Sequence, residues 1–271
     1  MPNHEEGRLR FLRRAGERNR RRFRRGVYIL PTLFTLGNMF CGYACIVYAM
    51  RGEYETAAPF VGFAVVLDIL DGRIARMTGS ASDFGVEFDS LADVISFGIA
   101  PAILSFAWGL QPLGRIGWLA GFLFLTAGAM RLARFNIQSG GDKRFFVGMA
   151  SPTAAAIPAA TVFAYPGGLH DYRAALPALV MVLVPAALMV STIRFRSFKT
   201  IDLQSRRPYT VLILIAAVIV AIAMHPKAVL VAMSYAYLMS AFVEMALARL
   251  RRRGERPAGA GAGNSEGPVG E

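Results

Sequence analysis

Eight apolar stretches run through this sequence, at about 29–50, 57–77, 85–108, 113–136, 148–167, 174–194, 209–224 and 227–248. Each is close to the roughly 20 residues that cross a bilayer as a helix. No single globular core has room for so much apolar surface. Of the 271 residues, 55% are hydrophobic and 18% charged, and the mean hydropathy is +0.43; a soluble domain carries roughly 25% charge. An ordinary water-soluble domain is therefore excluded. The chain is predicted to be an all-α polytopic membrane bundle, because helices satisfy their own backbone groups in lipid. Only His225, Pro226 and Lys227 separate the last two stretches, so these form a tight hairpin.

A net charge of +12, from 30 Lys+Arg against 18 Asp+Glu, would suggest nucleic acid in a soluble protein. Placement of the charge argues otherwise. With a cytoplasmic N-terminus, the inside segments are 1–28, 78–84, 137–147, 195–208 and 249–271. Together with the adjoining helix ends they hold 10, 2, 4, 5 and 5 Lys+Arg, which is 26 of the 30. The outside loops keep only Arg51, Arg115, Arg173 and Lys227. By the positive-inside rule this asymmetry supports eight spans with both termini in the cytoplasm. Six long spans with two re-entrant segments is the alternative.

Ten arginines fall in residues 1–26, interspersed with Leu9, Phe11, Leu12 and Phe23. Residues 1–28 read as a basic cytoplasmic segment, an interfacial helix on anionic lipid. A membrane span follows at once, which argues against a nucleic-acid arm and against a nucleic-acid partner. The charged region is too long for a signal peptide, and no small-x-small cleavage site follows it. The remaining units are a transmembrane core at 29–208, a further hairpin at 209–250 and a Gly/Ala/Pro/Glu-rich tail at 251–271, read as disordered. Cys41 and Cys45 are too few for a disulfide framework and read as packed small hydrophobes. His4, His170 and His225 lie far apart, in loops or the tail, which argues against metal or acid–base work by histidine.

Acids stand where a membrane chain should have none. Residues 68–93 contain Asp68, Asp71, Asp83, Glu87, Asp89 and Asp93, six of the 18 acids, between two membrane-length apolar runs. One centrally placed Asp costs roughly 2.5–3.5 kcal/mol on the insertion scale. Such residues mark functional sites. Asp68 and Asp71 are i, i+3 near the end of the second span; Asp89 and Asp93 are i, i+4 near the start of the third. Each pair shares a helix face. A short turn around Thr78, Gly79 and Ser80 lets all four converge just inside the cytoplasmic surface. Four carboxylates that close do not all persist unpaired. Two divalent cations would neutralise them, and all-oxygen ligation suits Mg2+ or Mn2+.

Small residues complete the pattern. Gly72 and Ala75 lie on or beside the Asp68/Asp71 face, and Gly85 lies one turn before Asp89, so a ligand can approach closely. Arg76, one turn after Gly72, is placed to meet a phosphate. A dinuclear metal site with small residues and an arginine suits transfer at a phosphorus centre. Two other readings exist. The acids could pair with Arg73, Arg76, Arg131 and Arg134 to hold helices together. A carboxylate-lined ion transporter would instead spread polar residues along several spans, whereas these acids cluster at one depth.

The pattern Asp71-Gly72-x2-Ala75-Arg76-x8-Gly85-x3-Asp89-x3-Asp93, preceded by Asp68, resembles the complete signature of the CDP-alcohol phosphotransferases. The resemblance covers about 29–194, the usual six-helix core of that superfamily. It implies that Asp68, Asp71, Asp89 and Asp93 hold two metal ions on the pyrophosphate of a CDP-linked donor. It further implies that Gly72, Arg76 and Ser82 contact the nucleotide and its phosphates, that Asp93 is also the general base, and that the protein is a homodimer.

Further segments resemble the phosphatidylserine synthases within that superfamily. These are Pro31–Asn38, Asp89–Pro101, Arg131–Asn136, Phe146–Pro152 and Ser191–Lys199, and the last two spans fit a longer bacterial version. The resemblance implies CDP-diacylglycerol as donor, L-serine as acceptor and a site open to the cytoplasm of a bacterial inner membrane. Other acceptors in the superfamily are glycerol 3-phosphate, inositol phosphate and choline. Arg131, Arg134 and Asn136 sit at the cytoplasmic end of the fourth span, where guanidinium groups could clamp a carboxylate bidentately. Anchoring to lipid phosphate is the alternative for each arginine. Asn38, a polar residue within the first span, is placed near the nucleotide, with helix packing as its alternative.

Overall fold

The computed structural model describes residues 31–79, 82–137, 146–191, 194–195 and 208–254. The basic segment 1–28 and the tail beyond Gly254 lie outside the described residues, as do most of the Ser191–Lys199 motif and the 138–145 part of the third inside segment. Eight helices occur among the described residues. They are α1 (Pro31–Met50), α2 (Tyr54–Thr78), α3 (Asp83–Leu113), α4 (Arg115–Ile137), α5 (Ser151–Ala164), α6 (Tyr172–Val190), α7 (Pro208–Met224) and α8 (Pro226–Gly254). Their positions follow the apolar stretches closely. Four of them, α1, α3, α4 and α6, are long and apolar enough to cross a membrane. The protein is an integral membrane helical protein on that ground. Two of the other helices have physical reasons for falling short. In its second half α2 carries Asp68, Asp71, Arg73 and Arg76, and α5 is only 14 residues long.

The stretch expected to be one span over 148–167 is shorter as a helix, because the chain is extended before it. Gly148 takes φ +85° there, and a Cβ at this position would stand 2.4 Å from the Met189 carbonyl oxygen, so only glycine fits. The Met149 N–H then donates to the Leu188 carbonyl at 3.1 Å. The sixth helix likewise ends at Val190, earlier than residue 194. Beyond it Arg194–Phe195 (β2) pairs antiparallel with Phe146–Val147 (β1), Phe146 opposite Phe195. This two-residue ladder is the one strand pairing among the described residues.

Packing is inverted relative to a soluble protein. The interior is lined by alanines, among them Ala57, Ala58, Ala64, Ala100, Ala154 and Ala155, all nearly or fully buried, and large apolar side chains such as Phe40, Phe63, Trp118 and Phe122 are exposed. Small residues let helix backbones approach where lipid offers no hydrophobic drive to associate. At Gly42 a Cβ would lie 2.6 Å from Ser96 Oγ and 2.8 Å from Ser96 Cα, so the backbones of α1 and α3 approach closely. That contact sets the depth at which α1 meets the acids of α3. Elsewhere α2 packs on α5, α4 on α6, and α5 on α8.

Candidate active site

The turn between α2 and α3 is fixed at both ends. Helix α2 stops at Gly79, which is left-handed (φ 60°) and returns its N–H to the Ala75 carbonyl. Helix α3 starts at Ser82, whose Oγ accepts from the Gly85 N–H at 3.1 Å. Those two caps leave the helices side by side and antiparallel. Asp68, Asp71 and Asp89 each offer an oxygen, and these oxygens lie within 4.8 Å of one another. Asp93 lies one turn deeper on α3 and is buried, as is Asp71.

Helix α1 supplies the polar partners. Thr35 Oγ1 donates to Asp71 Oδ2 at 3.1 Å, and Asn38 Nδ2 donates to Asp93 Oδ1 at 3.1 Å. Thr35 and Asn38 are i, i+3 and so share the face turned to α2 and α3. Ser96 Oγ donates to the Asn38 backbone carbonyl at 2.8 Å, one turn below Asp93. Asn38 is fully buried, and its location is against Asp93.

Three buried polar atoms here have no hydrogen-bond partner among the described residues: Asp89 Oδ1, Asn38 Oδ1 and Arg131 Nε. An unpaired buried polar atom costs about 1–3 kcal/mol, so three around one set of carboxylates point to a ligand that pairs them. Hard divalent cations fit this donor set: the clustered atoms are all carboxylate oxygens, and one of those carboxylates holds an orphaned oxygen.

The arginines expected to form a clamp divide. Arg131 Nη1 donates to Ser151 Oγ at 2.7 Å, and the guanidinium lies within electrostatic reach of Asp68 and Asp93. Arg134 Nη1 turns away, to the Val190 carbonyl at the end of α6, at 3.4 Å. Asn136 binds Ser90 on α3, donating from Nδ2 at 3.0 Å. Gly72 is half-buried beneath the Arg76 side chain: a Cβ there would stand 3.7 Å from Arg76 Nη1. Arg76 itself and Ser82 are exposed, whereas Ala75 and Gly85 are half-buried. Cys41 and Cys45 are buried free thiols in the apolar core.

Sequence reasoning missed Thr35, Ser96 and Ser151. The spacing of Thr35 with Asn38 was a usable signal, two polar residues on one face of an apolar run. Ser96 and Ser151 show their roles only through partners 58 and 20 residues away.

Similar proteins carry the same core. The family model for CDP-alcohol phosphatidyltransferase matches residues 28–193. A Helicobacter pylori protein named CDP-diacylglycerol–serine O-phosphatidyltransferase is 38% identical over 197 residues, covering 72% of this chain and 83% of its own length. A Bacillus subtilis protein of the same name is 33% identical over 170 residues, 63% of this chain and 91% of the relative. An archaetidylserine synthase from Methanothermobacter thermautotrophicus is 36% identical over 168 residues, 61% of this chain and 69% of the relative. The matched residues span α1 to α6 and contain every carboxylate of the cluster, and the chain belongs to the CDP-alcohol phosphatidyltransferase family.

Proposed function

We propose that the protein transfers the phosphatidyl group of CDP-diacylglycerol to the hydroxyl of L-serine, giving phosphatidylserine and CMP. The carrying observation is the convergence of Asp68, Asp71 and Asp89 within 4.8 Å, with Asp93 one turn below on Asn38. In this reading Asp68, Asp71, Asp89 and Asp93 hold two divalent cations, Mg2+ or Mn2+. Bound cations would neutralise the donor pyrophosphate and improve CMP as a leaving group. Gly72, Ala75 and Gly85 leave room for the nucleotide, and the exposed Arg76 and Ser82 meet its phosphates.

Asp93 is the general base. Asn38 occupies its Oδ1, which leaves Oδ2 for the proton of the serine hydroxyl. The serine oxygen then bonds to the lipid-side phosphorus, the bond from that phosphorus to CMP breaks, and the proton passes from Asp93 to water. Arg131 takes the serine carboxylate. Arg134 has a structural role instead, on its bond to the end of α6. Serine as acceptor is supported by the names of the relatives and by the Arg131 guanidinium, which lies within electrostatic reach of Asp93. The second reading keeps the chemistry with glycerol 3-phosphate, inositol phosphate or choline as acceptor. Eight spans, both termini and the site facing the cytoplasm of a bacterial inner membrane, and a homodimer complete the proposal.

The test is CMP release by purified protein in detergent micelles with CDP-diacylglycerol. Each acceptor is supplied in turn, with and without Mg2+ or Mn2+, beside Asp93→Asn. Serine-dependent release, lost with chelator and lowered at least about 100-fold by the substitution, is expected. Release with another acceptor alone would replace serine, and no release with any acceptor would overturn the transferase reading.

A further inference from the structure

Helices α3 and α4 run antiparallel in a register that two contacts fix. Asn136 Nδ2 donates to Ser90 Oγ at 3.0 Å, and a Cβ at Gly128 would stand 3.8 Å from Gly98 Cα. Asp93 lies between Ser90 and Gly98 on one helix, and Arg131 between Gly128 and Asn136 on the other. Their positions along the two helices differ by about two residues, or about 3 Å. Register alone therefore puts Arg131 almost level with Asp93.

Ser151, which accepts from Arg131 Nη1 at 2.7 Å, is 1% exposed and begins α5. The chain just ahead of it is tied down at successive residues. Phe146–Val147 pairs with Arg194–Phe195, Gly148 lies against the Met189 carbonyl, and the Met149 N–H donates to the Leu188 carbonyl at 3.1 Å. Ser151 thus takes its place from the end of α6, independently of α4. Helix α5 in turn packs on α2, which carries Asp68 and Asp71.

An arginine side chain has several soft torsions, and an untethered guanidinium samples many directions. The bond to Ser151 uses Nη1 and leaves the edge formed by Nε and Nη2. On that edge Nε is buried and has no hydrogen-bond partner among the described residues. Such an edge carries two parallel N–H groups, the geometry that takes a carboxylate bidentately. We propose that Ser151 is a positioning residue for the acceptor: by holding Arg131 Nη1 it orients the Nε–Nη2 edge to receive the serine carboxylate. This rests on the serine reading above. The ordered segment 146–151 is then the part of the fold that sets acceptor recognition.

Steady-state kinetics of the full chain test this, using Ser151→Ala, Ser151→Thr, Arg131→Lys and the Ser151→Ala/Arg131→Lys double variant. Ser105→Ala is the control, because it deletes an equally buried hydroxyl that bonds only within its own helix, to the Pro101 carbonyl at 2.7 Å. Ser151→Ala is expected to raise KM for serine about tenfold, the scale of one lost hydrogen bond to a charged group. KM for CDP-diacylglycerol, kcat and the melting temperature should stay unchanged. Ser151→Thr keeps the hydroxyl and should restore KM for serine, and Ser105→Ala should leave it unaltered. In the Arg131→Lys background, Ser151→Ala should add little, the mark of a coupled pair. If Ser151→Ala does not fold, Ser151→Cys, which keeps the volume and weakens the acceptor, is read in the same way. Fully multiplicative effects would overturn the proposal. So would a rise in KM for the donor alone, or equal rises in both KM values with a lowered melting temperature. An unaltered KM for serine in Ser151→Ala overturns this assignment and leaves the serine reading standing, whereas wild-type protein that releases CMP with another acceptor and not with serine removes both.

Discussion

The two ends of α3 treat their polar groups in opposite ways. At its far end Trp108 Nε1 donates to the Tyr165 carbonyl at 2.7 Å, Tyr54 Oη donates to the Ala107 carbonyl at 2.7 Å, and the Leu169 N–H donates to the Trp108 carbonyl at 2.7 Å. Those groups tie α2, α3 and the loop before α6 together. At the near end, around Asp89 and Asp93, three buried polar atoms stay unpaired among the described residues, and three carboxylates bring oxygens within 4.8 Å of one another. In a low-dielectric setting, satisfied polar groups stabilise, and unsatisfied ones cost free energy unless something binds them. One end thus has its polar groups paired, and the other has the unpaired groups expected of a ligand site.

Substitutions at the two ends should therefore separate activity from stability. Asp89→Asn removes one of the crowded charges. Phosphatidyl transfer should fall by at least about 100-fold, while the metal-free protein becomes more stable by about 1–3 kcal/mol, the scale of two like charges roughly 5 Å apart. Activity assays and melts of the chelated protein read both effects, and a loss of stability with retained activity would break the comparison. Gly42→Ala should come next, since its Cβ would collide with Ser96. Overpacking there costs about 1–3 kcal/mol. It would also push Asn38 away from Asp93, so activity and melting temperature should drop together.

Trp108→Phe should show the reverse of Asp89→Asn. It leaves the Tyr165 carbonyl without its donor and costs about 1–2 kcal/mol of stability, with turnover per folded molecule unchanged. A turnover defect as large as that of Asp89→Asn would erase the distinction. The smallest effect belongs to Lys227→Met, which deletes an exposed pair with Glu55. Surface pairs contribute about 0–1 kcal/mol, so the melt should barely move.

Much of this was legible in the residues because local spacing carries it. Helix positions follow from the length of each apolar run, and the carboxylate cluster follows from i, i+3 and i, i+4 spacing across a short turn. What spacing does not carry is which neighbour a side chain meets. Arg131 and Arg134 are both in the last two turns of α4, yet one donates to Ser151 on α5 and the other to the Val190 carbonyl at the end of α6. Ser96 is an ordinary serine until Gly42 brings α1 against it. The shortened α5 depends on the pairing of residues 146–147 with 194–195, a contact across about 50 residues that no local pattern announces.

The most direct test is Mn2+ binding to purified protein, followed by electron paramagnetic resonance in the presence of CDP-diacylglycerol. Two Mn2+ per chain are predicted, with affinity weakened at least about tenfold by Asp89→Asn and unchanged by Trp108→Phe. Equal binding by both variants would contradict the assignment of the ligand site to the near end of α3.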